Sequence, residues 1–341
     1  MNLHPASSKA APEVLVVGEA LVDLFPDHEV IGGAPFNVAR NLAALGAVPL
    51  MLTRIGCDAL GERLADEFDR CGLSHAALQR DPSLPSGQVT VHLQADGSHR
   101  FEIAPGQAWD AIDAAAAVAA VQAARPRLAC FGTLAQRSPA SAAAVRAAVQ
   151  AAAEAGAVCV LDLNLRDCPD NHALAEASLP LADVLKVNED ELPLLLRWFV
   201  PGLAADPLPA VGTAAHEAAV SALMARFGIG RLFLTLGPGG HAVFDADGGL
   251  VARGPAEPVT LRDTVGAGDA FLSVVLLGQL RRWPLAPTLR RAAAFAAAVC
   301  GIAGAVSTEA AFYARWRRAW RDEAFDSDTA GPAAGDLPKK G

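Results

Sequence analysis

Short apolar runs alternate with Ala-rich segments of helix length along almost the whole chain, and this alternation limits the fold more than any other feature. Eight runs have the length and composition of buried strands: EVLVVG, VPLMLTRIG, QVTVHLQ, RLACFGT, AVCVLDLN, DVLKVN, RLFLTLG and HAVFDA. The predicted helices lie at 36–45, 59–71, 111–124, 139–155, 189–199 and 213–227. Strands that alternate with helices form a mostly parallel sheet with helices on both faces, so the sequence predicts a three-layer α/β/α fold whose ligands bind at the carboxyl ends of the strands.

One stretch departs from the alternation. Between 73 and 103 the sequence predicts strands joined by turns, without a helix between them. Together with strands near 21–31, these residues are expected to stand off the main sheet as a small β-lid. The tails at 1–12 and 322–341 are expected to be flexible, because they are rich in small and polar residues.

Charge and cysteine content exclude several function classes. The 341 residues carry a formal net charge of −9, with four lysines and no concentrated basic face, so nucleic acid is not an expected partner. The six cysteines contain no C-x-x-C pair, which favours a reduced cytoplasmic protein over a zinc or disulfide framework. The N-terminus lacks the apolar core of a signal peptide, and the uncharged stretch 292–308 falls short of a bilayer-spanning helix, so it is predicted to be a buried helix and a turn.

The stretch RDTVGAGDAF, residues 262–271, places an acid at the start of a predicted helix. Gly266 and Gly268 free the backbone for a turn, and consecutive N–H groups at a helix start form an anion site. A carboxylate at Asp269 fits such a site if it accepts a proton from a nucleophile while Gly266, Ala267 and Gly268 hold a phosphoryl group. The alternative is that Asp269 only complements the helix dipole.

A second glycine-rich stretch, IGGAPFNVARNLAALG, covers residues 31–46. Gly33 lets the backbone approach a ligand, and Asn37 offers both a donor and an acceptor, which suits a polyol. The alternative is a glycine turn before an amphipathic helix. The chain has no G-x-x-x-x-G-K-[ST] motif and no G-x-G-x-x-G motif, so phosphate chemistry of the P-loop type and a dinucleotide site are not expected.

Taken together with VLDLNLRD, LKVNEDEL and TLGPGGHAVF, these stretches resemble in content and order the signature sequences of the ribokinase-like, or PfkB, carbohydrate kinase family. The resemblance covers roughly residues 13–318, which would form a single kinase domain with the lid strands drawn from about 21–31 and 73–103. It implies a central sheet flanked by helices, a β-lid, and transfer of the γ-phosphoryl group of ATP to a sugar hydroxyl with Mg²⁺.

The resemblance also assigns site residues. Asp269 would be the catalytic base, and the residues of the anion hole would be Gly266, Ala267 and Gly268. The sugar would be held by Asp23, Gly33, Asn37 and Arg166. The nucleotide would be held by Asn188, Thr235, Gly237 and Gly240. Metal ions would be held by Glu191 (Mg²⁺, through water) and by Asp263 and the carbonyl of Val265 (K⁺, as a further candidate ion).

The substrate is less sharply defined than the reaction. The stretch DLNLR, with Asp162, Asn164 and Arg166, resembles the D-x-N-x-R form of fructokinases and 2-keto-3-deoxygluconate kinases. Arg166 suits the sugar or the phosphoryl group, or it forms a structural ion pair with Asp162. An acid-sugar kinase should add a cation from the lid, where the sequence has Phe101, Glu102 and Ile103, so fructose is the expected substrate.

Three alternatives stay open at this point: a kinase for another sugar, for a sugar acid such as 2-keto-3-deoxygluconate, or for a nucleoside. A sugar- or nucleotide-binding protein without catalysis is the alternative from another class. Many relatives carry an asparagine in the helix beside adenine where this chain has Ala297, which weakens the expectation of ATP selectivity. The exposed edge of the lid sheet favours a homodimer.

Overall fold

The computed structural model describes residues 11–93, 99–203 and 208–322, and these residues form two β-sheets surrounded by helices. The strands are β1 Val14–Val17, β2 Leu21–Leu24, β3 Glu29–Gly32, β4 Pro49–Gly56, β5 Leu78–Asp81, β6 Gly87–Leu93, β7 His99–Ile103, β8 Leu128–Phe131, β9 Val158–Asp162, β10 Val184–Asn188, β11 Arg231–Thr235, β12 His241–Asp245 and β13 Leu250–Gly254. The helices are α1 Ala34–Ala44, α2 Ala59–Cys71, α3 Ala114–Ala124, α4 Pro139–Glu154, α5 Asn171–Ser178, α6 Glu191–Phe199, α7 Ala214–Phe227, α8 Ala267–Arg281, α9 Leu285–Cys300 and α10 Ala310–Asp322.

The larger sheet has nine strands within the described residues, in the order β13-β12-β11-β10-β9-β8-β1-β4-β5. Every pair from β11 to β5 is parallel, and β12 and β13 add an antiparallel edge. The central strands are buried along their whole length, as expected for a sheet covered on both faces. The predicted three-layer fold with a mostly parallel sheet is confirmed.

The smaller sheet has the order β3-β2-β6-β7 within the described residues. Its strands come from the two stretches expected to supply the lid, with one exception. Leu78–Asp81 pairs in parallel with Thr53–Gly56 and extends the larger sheet instead. The strand follows α2 and a short turn, which is the connection that a parallel crossover requires.

Two apolar clusters lie on opposite faces of the larger sheet. Val14 and Val16 of β1 belong to the cluster that contains side chains of α1, α8 and α9. Leu15 and Val17 belong to the cluster that contains side chains of α3, α4 and α7. Successive side chains of a strand point to opposite faces, so a run such as VLVV must be covered from both sides.

The last helix, α10, closes the first cluster against the beginning of the chain. Its Tyr313 hydroxyl donates a hydrogen bond of 2.8 Å to Oδ1 of Asn41 in α1, and both side chains are buried. No helix in the described ranges is both long and apolar enough to cross a bilayer. The expected flexible tails lie outside the described residues, except for Ala11, Pro12 and Asp322.

Candidate active site

A cleft of about 990 Å³ lies between the small sheet and the carboxyl ends of the parallel strands. It brings together most of the side chains and turns that the sequence singled out. Those that line it are Asp23, Gly33, Asn37, Arg166, Asn188, Thr235, Gly237, Gly240, Val265, Gly266, Ala267, Gly268 and Asp269. Carboxyl ends of parallel strands meet at one edge of a sheet, which is why residues so distant in sequence converge here.

The turn before α8 forms the floor of the cleft. Gly266 caps the helix at φ +76°, and a Cβ at this position would lie 2.2 Å from the Cβ of Ala305, so both the backbone conformation and the space require glycine. The first N–H groups of a helix have no partner within it, and they favour an anion. The cleft therefore has an anion-binding turn at its centre.

Asp269 lies in the first turn of α8 and faces this centre. Its Oδ2 accepts a hydrogen bond of 2.8 Å from Nδ2 of Asn37, which is on α1. Burial raises the pKa of Asp269 to about 6, although the hydrogen bond from Asn37 lowers it. The carboxylate of Asp162 raises the pKa further, and the cations Lys186 and Arg166 oppose this effect. Asp269 is thus a carboxylate poised to exchange a proton near neutral pH.

A buried ion pair, which the sequence analysis did not identify, lies directly below the anion-binding turn. Nζ of Lys186, on β10, donates to Oδ1 of Asp162, on the neighbouring β9, at 2.8 Å. A Cβ at Gly268 would approach Nζ of Lys186 to 3.3 Å. Burial lowers the pKa of Lys186, but the carboxylates Asp162, Glu191 and Asp269 outweigh it, so the net shift is upward and the side chain stays charged. A single lysine within an apolar strand, DVLKVN, was the available signal.

The end of the cleft next to the small sheet is polar and acidic. Burial raises the pKa of Asp23, on β2, to about 6, against the lowering effect of Arg166 and Arg40. Burial also raises the pKa of Glu19 to about 7, and Glu19 lines the same end of the cleft. The sequence analysis had assigned no role to Glu19.

Arg166 lies at this acidic end and has no ion-pair partner among the described residues. The expected alternative, a structural ion pair with Asp162, is not found, because Asp162 is paired with Lys186. Arg166 and Lys186 are the two cations that line the cleft in the described chain.

The turns after β10 and β11 form the side wall of the cleft. Oδ1 of Asn188 accepts the N–H groups of Asp190 and Glu191, both at 2.9 Å, and so caps α6. Asn188 also lines the cleft. Gly237 (φ +49°) and Gly240 (φ +89°) form the turn between β11 and β12, and a Cβ at Gly240 would overlap the backbone of Gly254 and Pro255.

The opposite end of the cleft is apolar. Four large hydrophobic side chains are exposed among the described residues, and three of them lie here: Val259, Leu261 and Val265, at 42, 63 and 42%. The wall facing them is built from small residues of α9, including Ala296, Ala297 and Cys300.

Neither of the two predicted metal-binding side chains, Glu191 and Asp263, lines the cleft. The carboxylate of Glu191 is buried behind the wall, where it accepts the N–H groups of Leu165 and Asn188 at 2.8 and 2.9 Å. Asp263 lies beneath the turn before α8 and accepts the N–H groups of Val265 and Gly304, both at 2.9 Å. Within the described ranges, no group of three His, Cys, Asp or Glu side chains could hold a metal ion.

The family model of the pfkB family carbohydrate kinases matches residues 13–311. The chain belongs to this family. It is 29% identical over 276 residues, which are 78% of this chain and 84% of the relative, to a fructokinase from Klebsiella pneumoniae. The predictions of a PfkB-family sugar kinase and of a ribokinase-like fold are confirmed.

Two solved structures of the family share the fold over 90% of this chain and 99% of their own, each at 25% identity. One is a fructokinase double mutant from Vibrio cholerae O395 with fructose, ADP and potassium ion bound, with a TM-score of 0.70. The other is an aminoimidazole riboside kinase from Salmonella enterica, complexed with aminoimidazole riboside and an ATP analog, with a TM-score of 0.71. Relatives of this chain therefore include kinases for a ketohexose and for a nucleoside-like substrate.

Proposed function

We propose that this sugar kinase transfers the γ-phosphoryl group of ATP to a hydroxyl of D-fructose. The observation that carries the proposal is the position of Asp269, between an acidic, hydrogen-bonding end of the cleft and an anion-binding turn, with its carboxylate held by Asn37 at 2.8 Å. A carboxylate repels a nearby phosphate, so its position beside a phosphate site is best explained by a part in the chemistry.

In the proposed reaction, Asp269 accepts the proton of the attacking hydroxyl. The hydroxyl oxygen forms a bond to the γ-phosphorus while the bond to the bridging β,γ-oxygen breaks, and ADP leaves. The N–H groups of the turn at Gly266–Gly268 and the ammonium of Lys186 stabilise the negative charge on the transferring group. The fixed pairing of Lys186 with Asp162 keeps this charge in place without reorganisation.

The side wall of the cleft fits a Mg²⁺ ion that is held by phosphates and water. Asn188, Glu189 and Asp190 line it, and the described chain offers no cage of three ligands. Mg²⁺ rarely binds in all-protein cages; held near these residues with its waters, it would neutralise charge on the transferring group. Glu191, whose carboxylate is buried behind the wall, would act indirectly, by holding the N–H group of Asn188.

The acidic end of the cleft favours a neutral sugar. Asp23 and Glu19 would repel a substrate carboxylate, and the side chains of the small sheet that line the cleft, among those whose placement the structure describes, are Leu21, Asp23, Val89 and Ile103. The two oxygens of Asp23 and the amide of Asn37 suit adjacent hydroxyl groups. This argument supports fructose over 2-keto-3-deoxygluconate, and the Klebsiella relative supports fructose over ribose.

A sugar panel tests the proposal by ATP-dependent ADP release. We expect kcat/KM for D-fructose to exceed that for 2-keto-3-deoxygluconate, ribose and aminoimidazole riboside. A clear preference for one of the competitors would replace fructose as the substrate and leave the kinase assignment in place. No sugar-dependent ADP release with any member of the panel would favour a non-catalytic binding protein.

We also propose that K⁺ binds below the anion-binding turn, next to Asp263 and the carbonyl of Val265. Asp263 accepts hydrogen bonds from Val265, in the loop before α8, and from Gly304. A cation bound next to Asp263 would therefore stabilise the conformation of the anion-binding turn. We expect activity to be several-fold higher in KCl than in tetramethylammonium chloride, and equal rates would contradict the proposal. An Asp263→Asn variant should lose this difference between the salts.

A further inference from the structure

A buried arginine links the small sheet to the residue that holds Asp269. Nη2 of Arg40, on α1, donates to the carbonyl oxygen of Ile31 on β3 at 2.8 Å and to Oδ1 of Asn37 at 2.5 Å. Its Nη1 donates to Oε1 of Glu67 on α2 at 2.9 Å, and the side chain is 5% exposed. The arginine contacts neither the cleft nor Asp269.

The contact with Arg40 decides which way the amide of Asn37 points. An asparagine amide carries an acceptor oxygen and a donor nitrogen in nearly the same shape, so it can rotate by 180° and exchange them. Arg40 has donors only, so it requires the oxygen on its own side. The nitrogen is then turned toward Asp269, where it donates at 2.8 Å.

We propose that Arg40 is a positioning residue that fixes the orientation of the Asn37 amide and thereby the protonation of Asp269. Without Arg40, the amide could turn its oxygen to the carboxylate, and two acceptors would face each other. The ionised form of Asp269 would lose its hydrogen bond, and its pKa would rise. Because Arg40 also binds Ile31, the amide orientation depends on the position of β3. This inference rests on the proposed role of Asp269.

Other charged and titratable groups also act on Asp269. They come from the strands and loops around it and are Glu19, Cys130, Asp162, Arg166 and Lys186. Arg40 contacts none of them in a hydrogen bond or ion pair, so its replacement should leave their arrangement unchanged. Arg40 does lower the pKa of Asp23, so Asp23 must be separated from Asp269 in the measurement.

The test is the pH profile of kcat at saturating fructose and ATP. Under these conditions kcat reports groups in the substrate complex, where Asp23 is engaged with the sugar. In Arg40→Met we expect the acid limb to move up by about one pH unit, since one unit corresponds to 1.36 kcal/mol and a hydrogen bond to a charged group contributes about this much. In an Asn37→Ala background the same change should produce no further shift.

Arg70→Met is the matched control. Arg70 donates two hydrogen bonds to the same carboxylate, Glu67, but does not contact Asn37. Either single variant leaves Glu67 with one arginine, so neither buries an unpaired carboxylate. We expect Arg70→Met to keep the wild-type acid limb even if it lowers the melting temperature.

Three results would overturn the inference: an unchanged limb in Arg40→Met, an equal shift in Arg70→Met, or an additional shift in the Asn37→Ala background. If Arg40→Met does not fold, Arg40→Leu serves instead, because it also removes the donors that hold the oxygen of Asn37, and the limb should move in the same direction. An Asp269→Asn variant with wild-type kcat would reject the proposed role of Asp269, independently of Arg40, whereas the sugar panel tests the proposed function itself.

Discussion

The two ends of the cleft are built from different chemistry. The end beside the small sheet holds buried charges and directed hydrogen bonds: Asp23, the amide of Asn37 and the carboxyl of Glu19 all face it. The far end is formed by Val259, Leu261 and small side chains of α9, and it remains exposed. Directed hydrogen bonds discriminate between ligands far more strongly than an apolar wall does. We expect the purine base of ATP to lie at this apolar end, so the enzyme should be highly selective for its phosphoryl acceptor and weakly selective for the base of its phosphoryl donor.

The largest effect is expected at Asp269, which lies between the polar end of the cleft and the anion-binding turn. Asp269→Asn keeps the size and shape of the side chain but removes the proton acceptor, so kcat should fall by about 10²- to 10⁴-fold. ATP binding, measured by calorimetry, should change little. Glu62→Gln is the control, because it neutralises an acid in the first turn of another helix, α2, far from the cleft. This variant should keep wild-type kcat. A kcat within a few-fold of wild type in Asp269→Asn would contradict the assignment.

The second effect is the pH dependence of the polar end. Burial raises the pKa of both Asp23 and Asp269 to about 6, so each must lose a proton near this pH before it can act. If both must be ionised, kcat/KM for the sugar should be about 100-fold lower at pH 5 than at pH 8, with a limiting slope of two. In Asp23→Asn the slope should fall to one. A wild-type profile that is flat between pH 5 and pH 8 would exclude both carboxylates.

The third effect concerns stability at the polar end. Burial raises the pKa of Glu19 from 4.5 to about 7, so the folded protein binds a proton more tightly than the unfolded chain. Stability therefore falls as pH rises from about 4.5 to about 7. Glu19→Gln should raise the free energy of unfolding at pH 8 by about 1–3 kcal/mol, and the gain should vanish near pH 4. Denaturant unfolding at the two pH values measures it, and an equal gain at both would contradict the explanation.

The smallest effect is expected at the apolar end. GTP and ITP should support phosphorylation with kcat/KM within about tenfold of ATP, because apolar walls do not distinguish an amino from a carbonyl group on a purine. Val259→Ala should raise KM for every nucleotide by a similar small factor. Val251→Ala removes a similarly exposed valine outside the cleft and is the matched control. A kcat/KM for GTP that is 10³-fold or more below that for ATP would mean that backbone groups of the loop around Val259 recognise the base by hydrogen bonds.

The fold was largely predictable because its signals are local. Strand and helix periodicities placed the central strands and their helices, and Gly266 marked the start of α8. Leu78–Asp81 was expected in the lid but joined the larger sheet, and α5, α10 and β13 were not predicted. The sequence of a four-residue strand does not determine which of two sheets the strand will join.

The candidate site was predicted less completely, because burial and pairing are not local. Lys186 and Asp162 are 24 positions apart and meet through neighbouring strands. The raised pKa of Glu19 comes chiefly from burial, and the contact of Arg40 with Asn37 depends on rotamers within a packed helix. Glu191 matched a motif, but its buried carboxylate is turned away from the cleft. The homodimer, the residue roles and the bound ions stay predictions.

The hydrogen bond from Tyr313 to Asn41 has a consequence for synthesis on the ribosome. Asn41 lies one helical turn beyond Asn37 on α1, which is made early, but its buried oxygen receives its partner only when α10 has emerged from the exit tunnel. Until then, Asn41 and the apolar side chains that α10 covers, such as Phe295, lie open to water. A nascent chain that stalls before residue 313 should therefore hold α1 loosely, and phosphoryl transfer should await the completed C-terminal helix.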